Sequence, residues 1–252
     1  MPSNLYKKHY GLIKANLNIL LESDISAMTV LSPAGLGKTT MIINSLRERK
    51  FNEGINYLYY NSYFTPLAFY RTLQETNELN RPNLLILDDT ETMLKDKNII
   101  NLMKAATWQN AGEKRIVNYM STSSKVKDPT CNFTGKIVIL INETPDSNPM
   151  FNAIVDRMLF CELNFSQAEI LELMREEIVP QPYKTLSESK RVLIYKFIRK
   201  NVAPEAPLSF RTLIKTYNHY LFAPNQWQEL TLNLLKSKEQ KTTNKKKSNK
   251  LI

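Results

Sequence analysis

The sequence is poor in the residues that build disulfide frameworks and zinc sites. It has two cysteines, Cys131 and Cys161, and two histidines, His9 and His219. Two thiols and two imidazoles make neither a disulfide framework nor a zinc ligand set. This cysteine usage is typical of a reducing compartment, so the sequence predicts a cytoplasmic protein, in a bacterium or in the cytoplasm of a host.

Long apolar runs are also missing. No run approaches the roughly 20 residues needed to cross a bilayer, and Met1 to Asn4 lack the basic and apolar pattern of a signal peptide. We therefore expect no membrane partner. With 42% apolar and 23% charged residues in 252, the composition is that of a globular protein with one large domain, or one large domain and a small appendage.

The positive charge is concentrated at the C-terminal end. Residues 236–252 hold seven Lys and one Glu, which account for +6 of the net charge of +10. The run 244–250 has no apolar residue to bury, so the sequence predicts a disordered Lys-rich tail over 236–252. Such a tail either keeps the chain soluble or makes non-specific contacts with an anion such as nucleic acid.

Strand-like apolar runs alternate with helical stretches over the first two thirds of the chain, a pattern that favours an α/β fold with a mostly parallel sheet. Strands are predicted at 27–31, 56–61, 84–87, 136–141 and 159–165. After the last of these no strand pattern is visible, and helices are predicted near 166–179, 186–202 and 209–222. We therefore expect an α/β domain at 1–165 and a small helical domain at 166–235.

A phosphate-binding loop is predicted between the first strand and the helix after it. The residues Ser32-Pro33-Ala34-Gly35-Leu36-Gly37-Lys38-Thr39 follow the pattern Gly-x-x-x-x-Gly-Lys-Ser/Thr, with Ser32 in place of the first glycine. In such a loop, backbone N–H groups point at phosphate oxygens. Lys38 adds a positive charge at the β- and γ-phosphates, and the Thr39 hydroxyl binds Mg²⁺. The sequence therefore predicts that Ala34 to Thr40 bind ATP with Mg²⁺.

Polar residues follow two further strands. Asp88 and Asp89 end the strand at 84–87, and Asn142 ends the strand at 136–141. Parallel strands present their carboxyl ends to the ligand, so Asp88 is predicted to hold Mg²⁺ and Asp89 to orient or deprotonate the attacking water, with Glu91 as a reserve base. The Asn142 amide is predicted to hold that water between Asp89 and the γ-phosphate.

These motifs together resemble the AAA+ ATPases over roughly residues 25–222. The resemblance rests on 32–39 and 84–89, which look like the Walker A and Walker B elements, and on the run 137–142, which ends in a sensor 1 residue, Asn142. It implies a three-layer α/β/α P-loop NTPase fold with a parallel sheet, followed by a small all-α lid. Asp89 departs from the family pattern, in which Glu is commoner.

The same resemblance implies roles for two arginines. Arg157, just before the fifth strand, looks like the family's arginine finger, and Arg211, which opens a later helix of the lid, looks like its sensor 2. Arg211 would reach the γ-phosphate from the lid. Arg157 would stabilise the transition state in a neighbouring subunit, which requires a head-to-tail homo-oligomer, either a ring or a filament. Surface salt bridges are the alternative for both.

Residues 114–136 read as a β-hairpin inserted before the fourth strand. Its position resembles the hairpin of AAA+ helicases and initiators, including superfamily III helicases of viruses and mobile elements. The resemblance implies that Lys125 and Lys127 contact DNA phosphates, most simply single-stranded and without sequence preference, since no base-reading module is evident. A solvated surface hairpin is the alternative.

The sequence thus predicts a nucleic-acid-dependent ATPase in the replication of a phage, plasmid or similar element: a helicase, a helicase loader or an initiator. Two other classes stay open. A nucleotide-dependent signalling switch would also carry Leu-Asp-Asp in this position. A protein-remodelling ATPase would need an aromatic pore loop, for which Tyr63-Phe64 is the candidate.

Overall fold

The structure is a computed structural model that describes residues 3–108, 114–120, 128–144, 149–204 and 206–248. Its strands, in chain order, are Ala27–Leu31 (β1), Tyr57–Tyr60 (β2), Leu84–Asp88 (β3), Ile116–Asn118 (β4), Thr130–Asn132 (β5), Lys136–Ile141 (β6) and Leu159–Glu162 (β7). Strands β4 and β5 pair with each other, and the other five form the main sheet. The five predicted strands of the sheet are confirmed to within a few residues.

The main sheet is parallel throughout, with the order β2-β3-β6-β1-β7. Strand β6 lies at its centre, between β3 and β1. The register pairs Leu31 with Ile141 and Asp88 with Leu140, so these three strands end at nearly the same level. The segments that leave them therefore start side by side at one edge of the sheet.

One face of the sheet is covered by the helices Pro66–Asn77 (α3), Lys97–Ala106 (α4) and Pro149–Val155 (α5). Phe69 and Leu73 of α3 and Met103 of α4 are fully buried in one cluster with Leu85 and Ile139 of the strands. The start of helix α3 is fixed by its capping residues, because the Thr65 hydroxyl accepts a hydrogen bond from Ala68 N and Pro66 lies in the first turn.

Helices Asn4–Glu22 (α1) and Lys38–Glu48 (α2) lie side by side. Lys14 of α1 donates to Glu48 at 2.8 Å, and Arg49, just after α2, donates to Asn18 at 2.7 Å. The strand residues that point away from the α3–α5 cluster are also fully buried, namely Met28, Val30, Leu84, Ile86, Val138 and Leu140. Helices flank the sheet on both sides, and the predicted three-layer α/β/α architecture is confirmed.

The chain divides into two compact units. One holds Tyr10–Pro33 and Lys38–Leu163, with the sheet. The other holds Asn164–Ile252 together with Met1–His9 and the loop segment Ala34–Gly37. The division therefore differs from a simple cut at residue 165, because Leu36 is buried in the same apolar cluster as Ile194 and Tyr217 of the C-terminal helices.

The C-terminal helices are Gln167–Leu173 (α6), Glu188–Asn201 (α7), Phe210–Phe222 (α8) and Trp227–Ser248 (α9). Ser166 and Glu169 form a capping box at the start of α6. A π-helical turn over Met174–Ile178 follows α6, so the helix predicted to Val179 changes its geometry partway.

Helix α9 differs from the prediction of a disordered tail, because it continues through residues 236–248. The physical reason begins with tertiary packing. Trp227 and Leu235 of α9 are buried among the C-terminal helices and so fix its first turns. Adding residues to a helix that already exists costs little, and Lys, Gln and Glu are good helix formers. None of the helices in the described part of the chain is long and apolar enough to span a bilayer.

Candidate nucleotide-binding site

The loop between β1 and α2 is held in a tight turn by its glycines. Gly35 and Gly37 adopt φ values of +77° and +87°, a region that residues with a Cβ rarely enter. Ser32 is not among the residues with positive φ. It is buried, and its N–H donates to Ile141 O at 3.1 Å. Serine is therefore tolerated where the family pattern has glycine, because this position makes no demand for left-handed backbone.

Lys38 opens α2 and points back to the sheet edge. Its side chain is only 5% exposed, and its ammonium donates to Asn142 Oδ1 at 2.5 Å and to Ser32 O at 3.4 Å. The charge of a buried ammonium must be met by acceptors or by an anion. Lys38, after the loop that leaves β1, and Asn142, after the central strand β6, are thus in direct contact as predicted site residues.

Asp88 lies at the end of β3 with one oxygen fully engaged and the other free. Oδ2 accepts from the Thr39 hydroxyl at 2.7 Å and from the Tyr59 hydroxyl at 2.8 Å. Oδ1 is buried and has no hydrogen-bond partner among the described residues. An unpartnered buried acceptor costs roughly 1–3 kcal/mol, and more when it is charged, so this oxygen is suited to a cation.

The donor set around Asp88 fits Mg²⁺. This ion takes oxygen ligands and is usually held by one or two protein groups, with waters and phosphate oxygens in the other positions. Thr39 and Asp88 supply a hydroxyl and a carboxylate 2.7 Å apart. The described residues contain no cluster of three or more His, Cys, Asp or Glu side chains that could bind a metal without such a ligand.

Asp89 and Asn142 form the next part of the site. Asn142 Nδ2 donates to Asp89 Oδ1 at 2.5 Å, and Asn61 Nδ2 donates to the other oxygen, Oδ2, at 3.3 Å. Glu91 Oε1 accepts from the Asn142 backbone N–H at 2.5 Å. Asp89 has φ of +52°, a left-handed conformation that Asp adopts more easily than most residues. Each candidate base therefore contacts Asn142.

Arg211 lies in the C-terminal unit, beside the loop segment that belongs to that unit. A Cβ built on Gly35 would come 3.1 Å from both Cγ and Cδ of Arg211 and 3.0 Å from Ser209 Cβ. The N–H of Phe210 donates to Gly35 O at 3.0 Å. The start of α8 therefore packs directly against the glycine of the loop, and the Arg211 side chain is exposed.

Arg157 follows α5 and contacts its own chain. Its guanidinium lies 5.1 Å from the centroid of the Trp108 ring and donates to Lys104 O at 3.4 Å. It is half-buried. Its role as a finger in a neighbouring subunit stays a prediction.

The predicted hairpin is present as the antiparallel pair β4–β5, in which Val117 lies opposite Cys131. Arg115 stacks on Phe133 at its base, at 5.1 Å from the ring centroid, and burial lowers the pKa of Arg115 to about 10. Lys125 and Lys127 lie outside the described residues.

Two site residues were missed by sequence reasoning, Tyr59 and Asn61. Tyr59 lies on β2, next to β3 in the sheet. Burial, and then its bond to Asp88, raise the pKa of the Tyr59 hydroxyl to about 12, so it remains a neutral donor. Both lie at the end of the second predicted strand, which could have marked them as candidates. They were missed because the sequence does not show that this strand lies next to β3 in the sheet.

No protein-family model matches the sequence. A relative in Enterobacteria phage T4, an uncharacterised 36.7 kDa protein of the nrdC–mobD intergenic region, is 23% identical over 239 residues, which cover 88% of this chain and 72% of the relative.

The fold is similar to that of several solved structures. A replication initiator DnaA bound to AMPPCP and single-stranded DNA superposes with a TM-score of 0.53 at 11% identity, covering 95% of this chain. Cdc6p from Pyrobaculum aerophilum gives 0.54 at 15% identity and 89% coverage. A point mutant of RuvB from Thermotoga maritima gives 0.55 at 12% identity, covering 93% of this chain and 73% of that one. The chain spans 66% of the DnaA chain and 64% of the Cdc6p chain.

These neighbours are AAA+ P-loop ATPases. The five-stranded parallel sheet with flanking helices, followed by C-terminal helices, is therefore the AAA+ P-loop NTPase fold. These similarities support the broader class and do not show the particular likeness to superfamily III helicases.

Proposed function

We propose that this chain binds ATP with Mg²⁺, hydrolyses it, and uses the cycle to act on nucleic acid. The observation that carries the proposal is the meeting of Lys38, Thr39–Asp88 and Asn142–Asp89 at three adjacent strand ends. A buried ammonium, a hydroxyl and two carboxylates in this arrangement are the groups that a triphosphate and its metal require.

Each group has a distinct task in binding. The ammonium of Lys38 pairs with Asn142 Oδ1 and Ser32 O, and a phosphate oxygen is a better partner because it carries charge. Thr39 and Asp88 hold the metal, with Asp88 Oδ1 as the free oxygen. Bound Mg²⁺ neutralises charge on the phosphate oxygens.

Hydrolysis requires a base near the γ-phosphate. Asp89 is that base in our proposal, and Asn142, which already donates to it, positions the water. Each oxygen of Asp89 accepts one amide hydrogen bond, Oδ1 from Asn142 and Oδ2 from Asn61. A carboxylate oxygen accepts about two, so each retains a lone pair for the proton of the water. We also propose that Arg211 acts on the γ-phosphate and that Arg157 completes the site of a neighbouring subunit in a ring or filament.

The nucleic-acid part of the proposal rests on the hairpin and on charge. The net charge is +10, and the antiparallel pair β4–β5 forms the base of the predicted hairpin. A structural neighbour, DnaA, was solved with single-stranded DNA. Lys125 and Lys127 are the residues proposed to contact phosphates, so binding should weaken as salt rises.

ATP turnover with and without single-stranded DNA tests this function. Lys38→Ala should abolish turnover, because the ammonium is the main positive group at the strand ends. The double variant Lys125→Ala/Lys127→Ala should keep basal turnover and lose the stimulation by DNA. Exposed lysines on α7 give a matched control, Lys196→Ala/Lys200→Ala, which should keep both.

Full turnover in the Lys38→Ala variant would refute the ATPase proposal. DNA stimulation that survives in the hairpin variant would refute the role of the hairpin and leave the ATPase intact. Loss of stimulation in the α7 control as well would mean that overall charge, and not the hairpin, recruits the DNA.

One observation favours a second candidate, a nucleotide-dependent switch that holds ATP for long periods. Asp89 is shorter than Glu and both of its oxygens are bonded, which would slow the activation of water. Tight binding of ATP with turnover that DNA does not raise would favour the switch. The protein-remodelling alternative loses part of its support, since Phe64 is 6% exposed and packs in the core, although Tyr63 is 61% exposed.

A further inference from the structure

We propose that Tyr59 is a positioning residue for the metal: its hydroxyl fixes the orientation of the Asp88 carboxylate so that Oδ1 faces the Mg²⁺. This inference rests on the proposed function, because it concerns the metal of the same site. Tyr59, Asp88 and Thr39 all belong to the unit that holds the sheet.

The two carboxylate oxygens of Asp88 differ in the number of hydrogen bonds they accept. A carboxylate oxygen has two lone pairs and so accepts about two good hydrogen bonds. Oδ2 already accepts two, from Thr39 at 2.7 Å and from Tyr59 at 2.8 Å. Oδ1 has none among the described residues and is buried. The two hydroxyls therefore determine which oxygen is left for the metal.

The sheet register explains why a tyrosine is needed for this contact. Tyr59 lies opposite Ile86, and Asp88 is two residues further along β3 on the same face. Strands lie about 4.8 Å apart and two residues rise about 6.6 Å, so diagonal neighbours of this kind are about 8 Å apart at Cα, a distance that only a long or aromatic side chain spans. A shorter hydroxyl residue at 59 would not reach Oδ2.

Tyr59 differs from Thr39 in what happens when a metal binds. Thr39 comes directly after the phosphate-binding loop, and in the proposed site its hydroxyl oxygen would itself be a ligand of the metal. Tyr59 is anchored on β2, so its donation to Oδ2 can persist. Groups that hydrogen-bond a metal ligand in this way fix its orientation, and their removal typically lowers metal affinity about 10–100-fold.

The experiment measures nucleotide binding, not turnover. A fluorescent ADP analogue is titrated into the full chain, first with EDTA and then over a series of free Mg²⁺ concentrations. The Mg²⁺ midpoint of the affinity gain is compared between wild type, Tyr59→Phe, Tyr57→Phe and Asp88→Asn. Tyr57 lies on the same strand and face as Tyr59 but is not bonded to Asp88, so it controls for the loss of one phenolic hydroxyl.

We expect Tyr59→Phe to leave the affinity in EDTA unchanged and to move the Mg²⁺ midpoint upward by about tenfold. Tyr57→Phe should leave the midpoint where it is in wild type, and Asp88→Asn should remove most of the gain from Mg²⁺. A merely structural role for Tyr59 would lower binding in EDTA too, and that result would overturn the proposal.

An unmoved midpoint in Tyr59→Phe, with a shifted one in Asp88→Asn, would overturn the role of Tyr59 and leave the proposed function standing. Absence of nucleotide binding in wild type would instead remove the proposed function itself. The two failures are therefore distinguishable in one set of titrations.

Discussion

Replacing Gly35 by alanine is expected to destabilise the protein through two separate terms. The first is conformational, because Gly35 has φ of +77° and a Cβ in the left-handed region costs roughly 1–2 kcal/mol. The second is crowding, because the new Cβ would lie 3.0 Å from Ser209 Cβ and 3.1 Å from the Arg211 side chain. Ser209 Cβ is attached directly to the backbone and has little freedom to move away.

Gly54 provides a matched control that carries only the first term. Its φ is +74°, and a Cβ there would meet nothing within 4 Å. Overpacking costs about 1–3 kcal/mol. We therefore expect Gly35→Ala to lose about 2–5 kcal/mol of unfolding free energy and Gly54→Ala about 1–2 kcal/mol. Any gain from a stiffer unfolded chain is common to both and cancels in the difference.

Urea denaturation followed by circular dichroism measures both values, and binding of an ATP analogue supplies the functional counterpart. Gly35→Ala should also weaken nucleotide binding, because the loop amides can no longer hold their turn, whereas Gly54→Ala should not. Equal losses of stability in the two variants would show that Ser209 and Arg211 do not pack on the loop.

Two further predictions concern side chains outside the strand ends. The bonds of Glu169 to Ser166 and then His9 lower the pKa of its carboxyl to about 2 from 4.5, so its stabilising effect is complete above pH 4.5 and is lost as the pH falls toward 2. Glu169→Gln should therefore cost about 1–2 kcal/mol at pH 7, and a cost that stays constant in urea titrations down to pH 3 would contradict this. Arg157→Ala should lose about 1 kcal/mol and change the tryptophan emission, because Trp108 loses its cation–π partner; unchanged emission would refute that contact in solution.

Most of the sheet could be predicted from the sequence, because each strand is a short apolar run with a clear break. The run 136–141, for example, is apolar after its first residue and is followed by Asn142, and β6 spans the same residues. Helix α5 was not predicted, since its seven residues are too few to display a helical period. Helix α9 was missed for a different reason: it is stabilised by the tertiary burial of Trp227 and Leu235, which local composition does not reveal.

Part of the candidate site could also be predicted from the sequence. Lys38, Asp88 and Asn142 lie on segments that leave parallel strands at their carboxyl ends, so their position at one edge of the sheet was predictable. The hydrogen-bond and packing partners of the site residues were not. The bond from Tyr59 to Asp88 depends on β2 being the neighbour of β3, and the contact of Gly35 with Arg211 joins residues that are far apart in the chain. Both arise from sheet order and long-range packing, which one sequence does not encode locally.

Calorimetric binding of Mg²⁺ and a non-hydrolysable ATP analogue to wild type and to Lys38→Ala tests directly whether the strand ends form a nucleotide site. We expect saturable binding of one nucleotide per wild-type chain, and at least a tenfold loss of affinity, about 1.4 kcal/mol, in the variant. Binding of equal strength in the two proteins, or none in wild type, would contradict it.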